Sequence, residues 1–429
     1  MKYYDLTKSD TFSDFMRDSR APTAQDDITS HVAAIIKDVR KNGNAALTKY
    51  ARQFDHVDLA SDDFLIDVAA IDENAFALSA QEKEAIRFAH TRLMDYALRT
   101  RPAYDTEKAE GSAYVTQKYV PFDRVACYVP CGSSPLVSTV IHTTVFAKAA
   151  GVKDVVMVTS PKTDGIFPAM LYAAKIAGVN SILQCGGVYG IAALAYGTET
   201  IKKVDMIAGP GNRFVTEAKR QVFGRVAIDM VAGPSEVMVI ADESADIRFI
   251  AADLLAQAEH GSGYEQAVLV TNCDSIYRGI EQELRAQAAD LMENAGLVRV
   301  LEHGIFVLKV EHIEEAIALC NAYAPEHVEV QTHHAEKLAE GITSAGAIMI
   351  GNWTPEPIGD FVAGSSHVLP TGGGASSFSG LTTAHFLKKI SIQKFDKDLL
   401  EECRIAAETF AQMEQLPAHG RSVSIRFQD

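Results

Sequence analysis

Apolar residues recur at helical spacing along the first part of the chain. They run through Val32–Val39, stop at Gly43 and resume at Leu47. Because a glycine interrupts a pattern that otherwise continues, we predict a helical hairpin or a bent helix here. Farther along, Ser79 and Glu82 have the spacing of a capping box, which predicts the N-terminus of a long helix.

The central part of the chain alternates between short apolar runs and longer segments with helical spacing. Strands that are apolar on both faces are typical of parallel sheets covered by helices on either side. The alternation therefore predicts an α/β fold with two Rossmann-like parallel sheets, although the sequence has no GxGxxG turn of the usual dinucleotide-binding kind. The predicted strands begin near Phe64, Tyr114, Val125, Val155, Ser181, Val204, Val226, Val237, Ala267, Ile305 and Ala347.

The same alternation predicts how the chain divides into domains. We expect one α/β domain to be inserted into another, with small appendages at both ends. After Phe386 the alternation gives way to a short strand, a helix over about Asp396–Gln415 and a final strand, SVSIRF. The predicted boundaries are an N-terminal arm at 1–25, a discontinuous α/β domain at 26–127 and 236–383, an inserted Rossmann-like domain at 128–235, and a C-terminal appendage at 384–429.

Composition narrows the class of protein. A chain of 429 residues with 47% hydrophobic residues is long and apolar enough for two domains. Its 56 acidic against 40 basic residues give a net charge of −16, which argues against nucleic acid or an anionic membrane as a partner. No apolar run reaches the length of a membrane span and the first residues lack a signal-peptide core, so we expect a cytoplasmic protein. The six cysteines are scattered and are expected to be reduced.

The stretch DLLAQAEHGSG, at Asp253–Gly263, places two polar side chains at the end of an apolar helical run. Gln257 and His260 are three residues apart, which puts both on one face of a helix. An imidazole nitrogen and an amide oxygen at this spacing can form half of a metal site. The structural alternative is a helix C-terminus in which His260 lies near the last carbonyls and Gly261 is the cap.

Two Gly-Pro turns follow predicted strands. They are AGPGN at Ala208–Asn212 and AGPSE at Ala232–Glu236. Glycine lets a ligand approach the backbone, and the helix after Asn212 offers free N–H groups to a phosphate. The structural alternative is an ordinary strand-to-helix turn in which Asn212 is the N-cap.

Three further segments carry ionisable side chains. In APEHVEV, Glu326 and His327 are of the kinds that transfer protons near neutral pH, although such a dipeptide is often merely exposed to solvent. A glycine-rich loop at 359–374 and the stretch EQLPAHG contain Asp360, His367, Glu414 and His419. Nitrogen and oxygen donors without thiolates suit a cation such as zinc, but spacing alone does not group the candidates. These are Gln257, His260, Asp360 and His419.

With these segments in view, the chain resembles the histidinol dehydrogenase family over nearly its whole length. The resemblance is densest in the blocks AGPGNRFVTEAKR, AIDMVAGPSEVMVIAD, AADLLAQAEHG, YAPEHVEV and GDFVAGSSHVLPTGG. It implies a zinc-dependent enzyme that uses NAD twice, oxidising the amino alcohol L-histidinol to an aldehyde and then to the carboxylate of L-histidine. It also implies that the inserted Rossmann-like domain binds NAD and that two subunits form an intertwined homodimer with shared active sites.

The family's functional residues are present at the matching positions of this chain. The resemblance implies that Glu326 and His327 are the catalytic pair, with His327 accepting the hydroxyl proton and Glu326 activating the water that hydrates the aldehyde. It implies NAD contacts at Tyr128 and Asn212. The zinc ligands that it implies are Gln257, His260, Asp360 and His419, the last of them supplied by the C-terminal appendage of a second subunit. The implied substrate contacts are Ser235, His327, His367, Glu414 and the four zinc ligands.

Some positions depart from the family pattern. Tyr189 stands in GGVYGIAALAYGTE where the family has a glutamine that touches NAD, so no NAD contact is carried over to it. The loop before His367 reads GSSH in place of GPNH, and the segment before His419 reads EQLPAH in place of EGLxAH. These changes leave open a relative that oxidises another polar alcohol, for example a sulfonated diol, with the same zinc and NAD chemistry. A third interpretation is a metal- or ligand-binding protein that has lost catalysis, although Glu326 and His327 are both intact.

Overall fold

The structure, a computed structural model, describes residues 1–8, 11–20, 28–61, 63–72, 76–102, 113–131, 135–291 and 294–428. Strands and helices are numbered in chain order within these residues. The strands are β1 (Lys2–Asp5), β2 (Leu65–Asp67), β3 (Tyr114–Pro121), β4 (Arg124–Tyr128), β5 (Asp154–Thr159), β6 (Ser181–Gln184), β7 (Met206–Ala208), β8 (Ala227–Ile228), β9 (Glu236–Ala241), β10 (Gln266–Thr271), β11 (Ile305–Lys309), β12 (His327–Gln331), β13 (Ala347–Ile350) and β14 (Leu387–Lys394). The helices are α1 (Phe12–Ser19), α2 (Ile28–Tyr50), α3 (Ala80–Arg99), α4 (Val137–Ala150), α5 (Pro168–Ile176), α6 (Gly187–Tyr196), α7 (Arg213–Val222), α8 (Ile247–Ala258), α9 (Asp274–Ala288), α10 (Ala295–His303), α11 (Glu315–Tyr323), α12 (Ala335–Ala339), α13 (Glu356–Phe361), α14 (Lys397–Met413) and α15 (Pro417–Ser424).

Contacts within the chain divide it into two units. Unit 1 consists of Met1–Arg101 and Phe122–Phe386, and unit 2 consists of Pro102–Pro121 and Leu387–Asp429. Unit 1 contains two six-stranded sheets. In unit 2, β3 and β14 form an antiparallel pair, and α14 packs on α15. The domain boundaries expected from the sequence stay a prediction.

The first sheet of unit 1 has the strand order β2-β6-β5-β4-β7-β8. Its neighbouring strands are parallel except β2, which runs antiparallel to β6. Val156 and Val158 of β5 join a core with α2 and α6, while Val155 and Met157 alternate to the other face and are also fully buried. The strand order reverses between β4 and β7, and open α/β sheets bind ligands in the crevice at the carboxyl ends of such strands.

The second sheet has the order β1-β11-β10-β9-β12-β13, with every neighbouring pair parallel. The N-terminal segment expected as an arm supplies its edge strand, β1. Val237 and Val239 of β9 lie in a core with α8, and Met238 and Ile240 lie in the core on the opposite face. Both sheets are thus apolar on their two faces, and the predicted α/β class with two Rossmann-like parallel sheets is confirmed.

The segment 229–235 connects the carboxyl end of one sheet to the amino end of the other. It leaves the carboxyl end of β8 and enters the amino end of β9. Strand β12 pairs with β9 so that His327 is opposite Val237, which places His327 at the same amino end. Groups at the carboxyl end of the first sheet and at the amino end of the second sheet are therefore brought close together by the connection.

Local predictions for the first helices are confirmed. Helix α2 is bent at Gly43, whose φ of 48° and ψ of −130° are not helical. Asn44 N donates to Glu199 Oε2 at 2.8 Å just after the bend. Helix α3 begins with the capping box, in which Ser79 and Glu82 bond each other's backbone N–H groups.

The predicted final strand is wrong. The segment SVSIRF continues from α15, which covers Pro417–Ser424, into a 3₁₀ turn at Ile425–Phe427. Alternation of apolar and polar residues specifies a strand only where a neighbouring strand is available, whereas a helix satisfies its backbone locally. Pro417 occupies the first turn of α15, a position that proline favours. The predicted strand and long helix before it are confirmed as β14 and α14.

All six cysteines lie in the described part of the chain and are free thiols, as the sequence predicted. Cys127, Cys185 and Cys320 are buried among apolar side chains, and the other three are partly exposed. Among the described residues, no helix has the length and apolar character needed to cross a bilayer.

Replacing Gly209 with alanine tests whether the AGPGN turn depends on close backbone packing. Gly209 has a φ of +116°, and an added Cβ would lie 2.2 Å from the carbonyl oxygen of Tyr128. We expect Gly209→Ala to lower the free energy of unfolding by at least about 2 kcal/mol in urea denaturation. Gly224→Ala is the matched control, because its φ is +90° but no described atom lies within 4 Å of the added carbon. Equal losses in the two variants would contradict the close approach.

Candidate active site

The first residue of β9 holds both members of the predicted catalytic pair through its backbone. Glu236 N donates to Glu326 Oε2 at 3.0 Å, and Glu236 O lies 3.3 Å from His327 Nδ1. A carbonyl oxygen only accepts, so His327 Nδ1 carries the proton of this bond. The nitrogen left for chemistry is therefore Nε2.

Carboxylates surround the His327 ring, which is only 2% exposed. Its Nδ1 lies 3.9 Å from both Glu326 Oε2 and Glu356 Oε1, and its Nε2 lies 3.5 Å from Asp360 Oδ1. Burial by itself lowers the pKa of His327, but the carboxylate of Glu326 and those of Asp360 and Glu356 outweigh it and raise the pKa to about 10. The ring is thus a basic group surrounded by the carboxyl groups of these three residues.

The same crowding acts on the acids. Burial raises the pKa of Glu326 to about 8, although His327 acts in the opposite direction. Burial also raises the pKa of Glu356 to about 7. For Asp360 burial acts upward too, but the contact with His327 and the charge of His367 hold its pKa below the ordinary value. Asp360 is therefore the carboxylate that keeps its negative charge most readily.

Two helices bring three of the predicted zinc ligands together. Gln257 lies in the last turn of α8, and His260 follows two residues after that helix ends at Ala258. Gln257 Nε2 lies 3.4 Å from His260 Nδ1. Ligand atoms of His260, Glu356 and Asp360 lie within 4.8 Å of one another, the last two being supplied by α13. The chain thus gathers nitrogen and oxygen donors at one place.

Five buried polar atoms here have no hydrogen-bond partner among the described residues. They are Gln257 Oε1, His327 Nε2, Asp360 Oδ1 and both oxygens of Glu356. Leaving such a group unpaired costs about 1–3 kcal/mol, and more where it is charged. Clustered orphan acceptors indicate a cation or a polar ligand, and donors of nitrogen and oxygen without sulfur suit zinc. The side chains present therefore fit the metal that the sequence predicts.

Glu356 is a site residue that the sequence reasoning missed. It is buried next to His327 and shares α13 with Asp360, four residues later. Four residues make one helical turn, so the two carboxylates face the same side. The spacing in EPIGDF was the available signal, but it places the two carboxylates on one face only if this segment is a helix.

The ring of His367 is hydrogen-bonded by the chain at both nitrogens. Nδ1 lies 2.9 Å from Asp360 O and Nε2 lies 3.1 Å from Thr139 Oγ1. The ring stacks on that of His142 with centroids 4.1 Å apart; His142 accepts from His367 N and lies 3.4 Å from Phe361 O. Burial lowers the pKa of both histidines. The pair fixes α4 to the loop that follows Asp360, and a substrate contact of His367 stays a prediction.

The residues predicted to contact NAD lie at the switch point of the first sheet. Tyr128 ends β4, and its hydroxyl accepts from Gly187 N at 3.0 Å. Asn212 is the N-cap of α7, because its Oδ1 accepts from Phe214 N at 3.0 Å and from Val215 N at 3.1 Å. The structural alternative for Asn212 is confirmed, and the NAD contacts of both residues stay predictions.

A buried ion pair fixes the AGPGN turn at this crevice. Lys219 pairs with Asp229 and donates to Gly209 O at 2.8 Å. Asp229 Oδ2 accepts from Gly209 N at 2.7 Å. Both polar groups of the Gly209 backbone are thus held, which stiffens the turn between β7 and α7 where a dinucleotide would approach.

Tyr189, which departs from the family pattern, is buried and bonded to the chain. Its hydroxyl donates to Asp55 Oδ2 at 2.5 Å and accepts from Gly186 N at 3.3 Å. Asp55 lines an open cleft of about 450 Å³ together with His56, Cys131 and residues 160–164. Because the hydroxyl already has two partners, Tyr189 serves here to hold the Asp55 turn beside the cleft.

The remaining predicted site residues lie at two places. Ser235 immediately precedes β9, and its carbonyl accepts from Gln266 N at 3.1 Å. Glu414 and His419 belong to unit 2, where Glu414 follows α14 and His419 lies in α15. Both are exposed. The roles expected of these three residues stay predictions.

The chain is similar to known proteins along nearly its full length. A sequence model of the family described as Histidinol dehydrogenase matches residues 18–427. The chain is 42% identical over 400 residues to the histidinol dehydrogenase of Lactiplantibacillus plantarum, with 93% of each chain covered. It is 40% identical over 426 residues to that of Rhizobium meliloti, with 99% of this chain and 98% of the relative covered.

A solved structure agrees with these sequence comparisons. The crystal structure of histidinol dehydrogenase from Elizabethkingia anophelis matches with a TM-score of 0.91 and 32% identity, covering 100% of this chain and 98% of that chain. The similarity therefore extends over the sheets, the site and the C-terminal segment alike.

Proposed function

The chain belongs to the histidinol dehydrogenase family, and we propose that it oxidises L-histidinol through the aldehyde to L-histidine with two molecules of NAD. The observation that carries the proposal is the site at the amino end of the second sheet. There a buried acid–base pair, Glu326 and His327, lies against oxygen atoms of Gln257, Asp360 and Glu356 that have no hydrogen-bond partner among the described residues. Proton transfer and metal anchoring, the two requirements of this chemistry, are thus met at one place.

Zinc and NAD are the groups that this site is suited to hold. We assign zinc to Gln257, His260 and Asp360, and NAD to the crevice at the carboxyl ends of β4 and β7. Bound zinc supplies positive charge that anchors the amine and imidazole nitrogens of the substrate and offsets the carboxylates around His327, and bound NAD supplies the two-electron acceptor for each oxidation. His419 completes the ligand set in the homodimer proposed below.

In the first oxidation, His327 is the base. Its Nδ1–H is held by Glu236 O at 3.3 Å, which fixes the tautomer and leaves Nε2 to take the hydroxyl proton of the alcohol. The imidazolium that forms is stabilised by Glu326 and Glu356, each 3.9 Å from Nδ1. Burial keeps bulk water away from this proton.

In the second oxidation, Glu326 is the base. It takes a proton from the water that adds to the aldehyde, while His327 returns the proton that it gained in the first oxidation to the carbonyl oxygen. A hydroxyl of the resulting hydrate then gives its proton to His327. Glu236 N donates to Glu326 Oε2 at 3.0 Å, which orients the carboxylate for this role. The neighbouring positions of the two residues allow one bound substrate to pass through both oxidations.

We assign the protein to the cytoplasm as an intertwined homodimer. His419 lies in unit 2 and is exposed within its own chain, as expected of a ligand supplied to a second subunit. We also assign Glu414, which is exposed in unit 2, as a substrate contact of that shared site.

The proposal is tested by measuring NADH formed from a limiting amount of L-histidinol. We expect two NADH per histidinol, loss of activity with a strong chelator and recovery on adding zinc. Glu243→Gln is the control variant, because Glu243 is an exposed acid that contacts His333, at 3.7 Å, outside the site. Zinc-loaded protein that forms no NADH from histidinol would contradict the proposal and direct the assay to other polar alcohols.

The pH dependence of aldehyde oxidation follows from Glu326. Its pKa is raised to about 8, and it accepts a proton only as the carboxylate, so the rate of L-histidinal oxidation should show a rise with pH centred near 8. Glu326→Gln should lower kcat about 10²–10⁴-fold and remove that rise. A profile from about pH 6 to about pH 10 for both enzymes checks this. An unchanged rise in the variant would assign the titration to another group.

Mixing two inactive variants tests the shared site. In a mixed dimer of His327→Ala and His419→Ala, one of the two sites carries neither substitution. Random exchange in an equal mixture should therefore restore roughly a quarter of wild-type activity. If native mass spectrometry shows mixed dimers but the mixture stays inactive, His419 does not complete the site of a second subunit.

A further inference from the structure

A second set of buried polar residues lies on α8 and β12, two of the three elements that carry the active site. On α8, Asp253 precedes Gln257 by four residues, one helical turn. On β12, Glu329 follows His327 by two residues, one period of a strand, and so faces the same side. Each site residue thus has a polar neighbour behind it on its own element.

These neighbours bond to one another across the elements. Gln331 Nε2 donates to Asp253 Oδ2 and to Glu329 Oε2, each at 2.8 Å. Glu329 Oε1 accepts from Glu356 N, the first residue of α13, at 2.7 Å. Gln331 Nε2 thus bridges the carboxyl groups of Asp253 and Glu329, and burial raises the pKa of both groups. We refer to Asp253, Glu329 and Gln331 as the support cluster.

The support cluster is as buried as the apolar core. Asp253 is 7% exposed, Glu329 1% and Gln331 2%. Ionisable groups are buried at such depth only where they are paired, because desolvation is costly. Apolar residues of similar size would fill the same space at lower cost, so the polar identity of the cluster calls for a reason other than packing.

We propose that the support cluster positions the active site by fixing α8, β12 and α13 relative to one another. Its bonds join Asp253 on α8 to Gln331 on β12, and Glu329 on β12 to the start of α13. These elements carry Gln257, His327 and Asp360. None of the three support residues is assigned to substrate, cofactor or metal, so they act as positioning residues. The proposal rests on the proposed function for its kinetic readout alone.

The geometry explains why small displacements here matter. Glu329 holds the backbone of Glu356, and Asp360 lies one turn farther along the same short helix. A shift at the start of α13 therefore moves both carboxylates against His327. Partners that orient metal ligands from behind alter metal affinity or activity by about 10–100-fold when they are removed.

The test compares Glu329→Ala with Glu329→Gln. The alanine variant loses both the bond from Glu356 N and the bond from Gln331 Nε2. The glutamine variant keeps an acceptor for Glu356 N and loses only the bond from Gln331, because its amide nitrogen replaces Glu329 Oε2. We expect zinc affinity, measured by competition with a chromophoric chelator, to fall about 10–100-fold in Glu329→Ala and to stay within about threefold of wild type in Glu329→Gln. At saturating zinc, kcat for histidinol should fall more than KM rises in the alanine variant.

Asp242→Ala is the matched control for loss of a buried carboxylate. Asp242 accepts from Ser244 N and His333 N, each at 2.9 Å, at the far end of β9 from the site. It should lower the melting temperature while leaving zinc affinity unchanged. Should Glu329→Ala not fold, Gln331→Ala removes the two 2.8 Å bonds and is expected to show the same loss of zinc affinity.

Two outcomes would overturn the proposal. One is a loss of thermal stability in Glu329→Ala with wild-type zinc affinity and kcat, as for the control. The other is an equal loss of zinc affinity in Glu329→Ala and Glu329→Gln, which would show that the hydrogen bonds are not responsible. Zinc affinity is measured without substrate. Wild-type protein that binds zinc but does not oxidise histidinol would contradict the proposed function, while the comparison of the Glu329 variants would still test this proposal.

Discussion

Burying Glu356 and Asp360 against His327 is unfavourable unless each charge meets a partner. Backbone N–H groups supply partners for the neighbouring carboxylates. Glu326 receives the backbone N–H of Glu236, and Glu329 receives that of Glu356. The atoms left over are concentrated at one point of the site, where they provide a ready set of acceptors for a cation. The site is thus defined both by its unpaired ligand atoms and by the hydrogen bonds that the neighbouring polar groups make elsewhere.

The location of that point follows from how the two sheets are connected. Ligands of open α/β sheets ordinarily bind at the carboxyl ends of the strands, and the crevice beside Tyr128 obeys this rule. His327 lies instead at the amino end of its strand. The difference has a topological reason, since 229–235 leads from the carboxyl end of β8 into the amino end of β9. A cofactor at the first sheet and a substrate at the second can therefore meet.

Sequence reasoning succeeded where periodicity and length act together. Strands that are apolar on both faces, such as Val155–Val158, predicted the parallel sheets, and the spacing of Ser79 and Glu82 predicted the start of a helix. It failed at SVSIRF, because alternation states a preference for a strand but supplies no neighbour to pair with. Strand β1 was not foreseen, since four partly polar residues carry little pattern.

The candidate site was predictable only in part. Helical spacing singled out Gln257 and His260, the resemblance grouped them with Asp360 as ligands, and the structure brings the three together. Glu356 and Asp253 lack a pattern of their own, since each is significant only through a residue one turn away. The Tyr189–Asp55 bond joins residues 134 positions apart, a separation that no local rule bridges.

The stacked rings of His142 and His367 have a thermodynamic consequence. His142 belongs to α4, which follows the crevice assigned to the cofactor, and it contacts the backbone on the far side of Asp360 at Phe361. A displacement of α4 on cofactor binding would therefore be transmitted through the stacked rings to the backbone at Asp360 and Phe361. Linkage would make such coupling between the two sites reciprocal and equal in size.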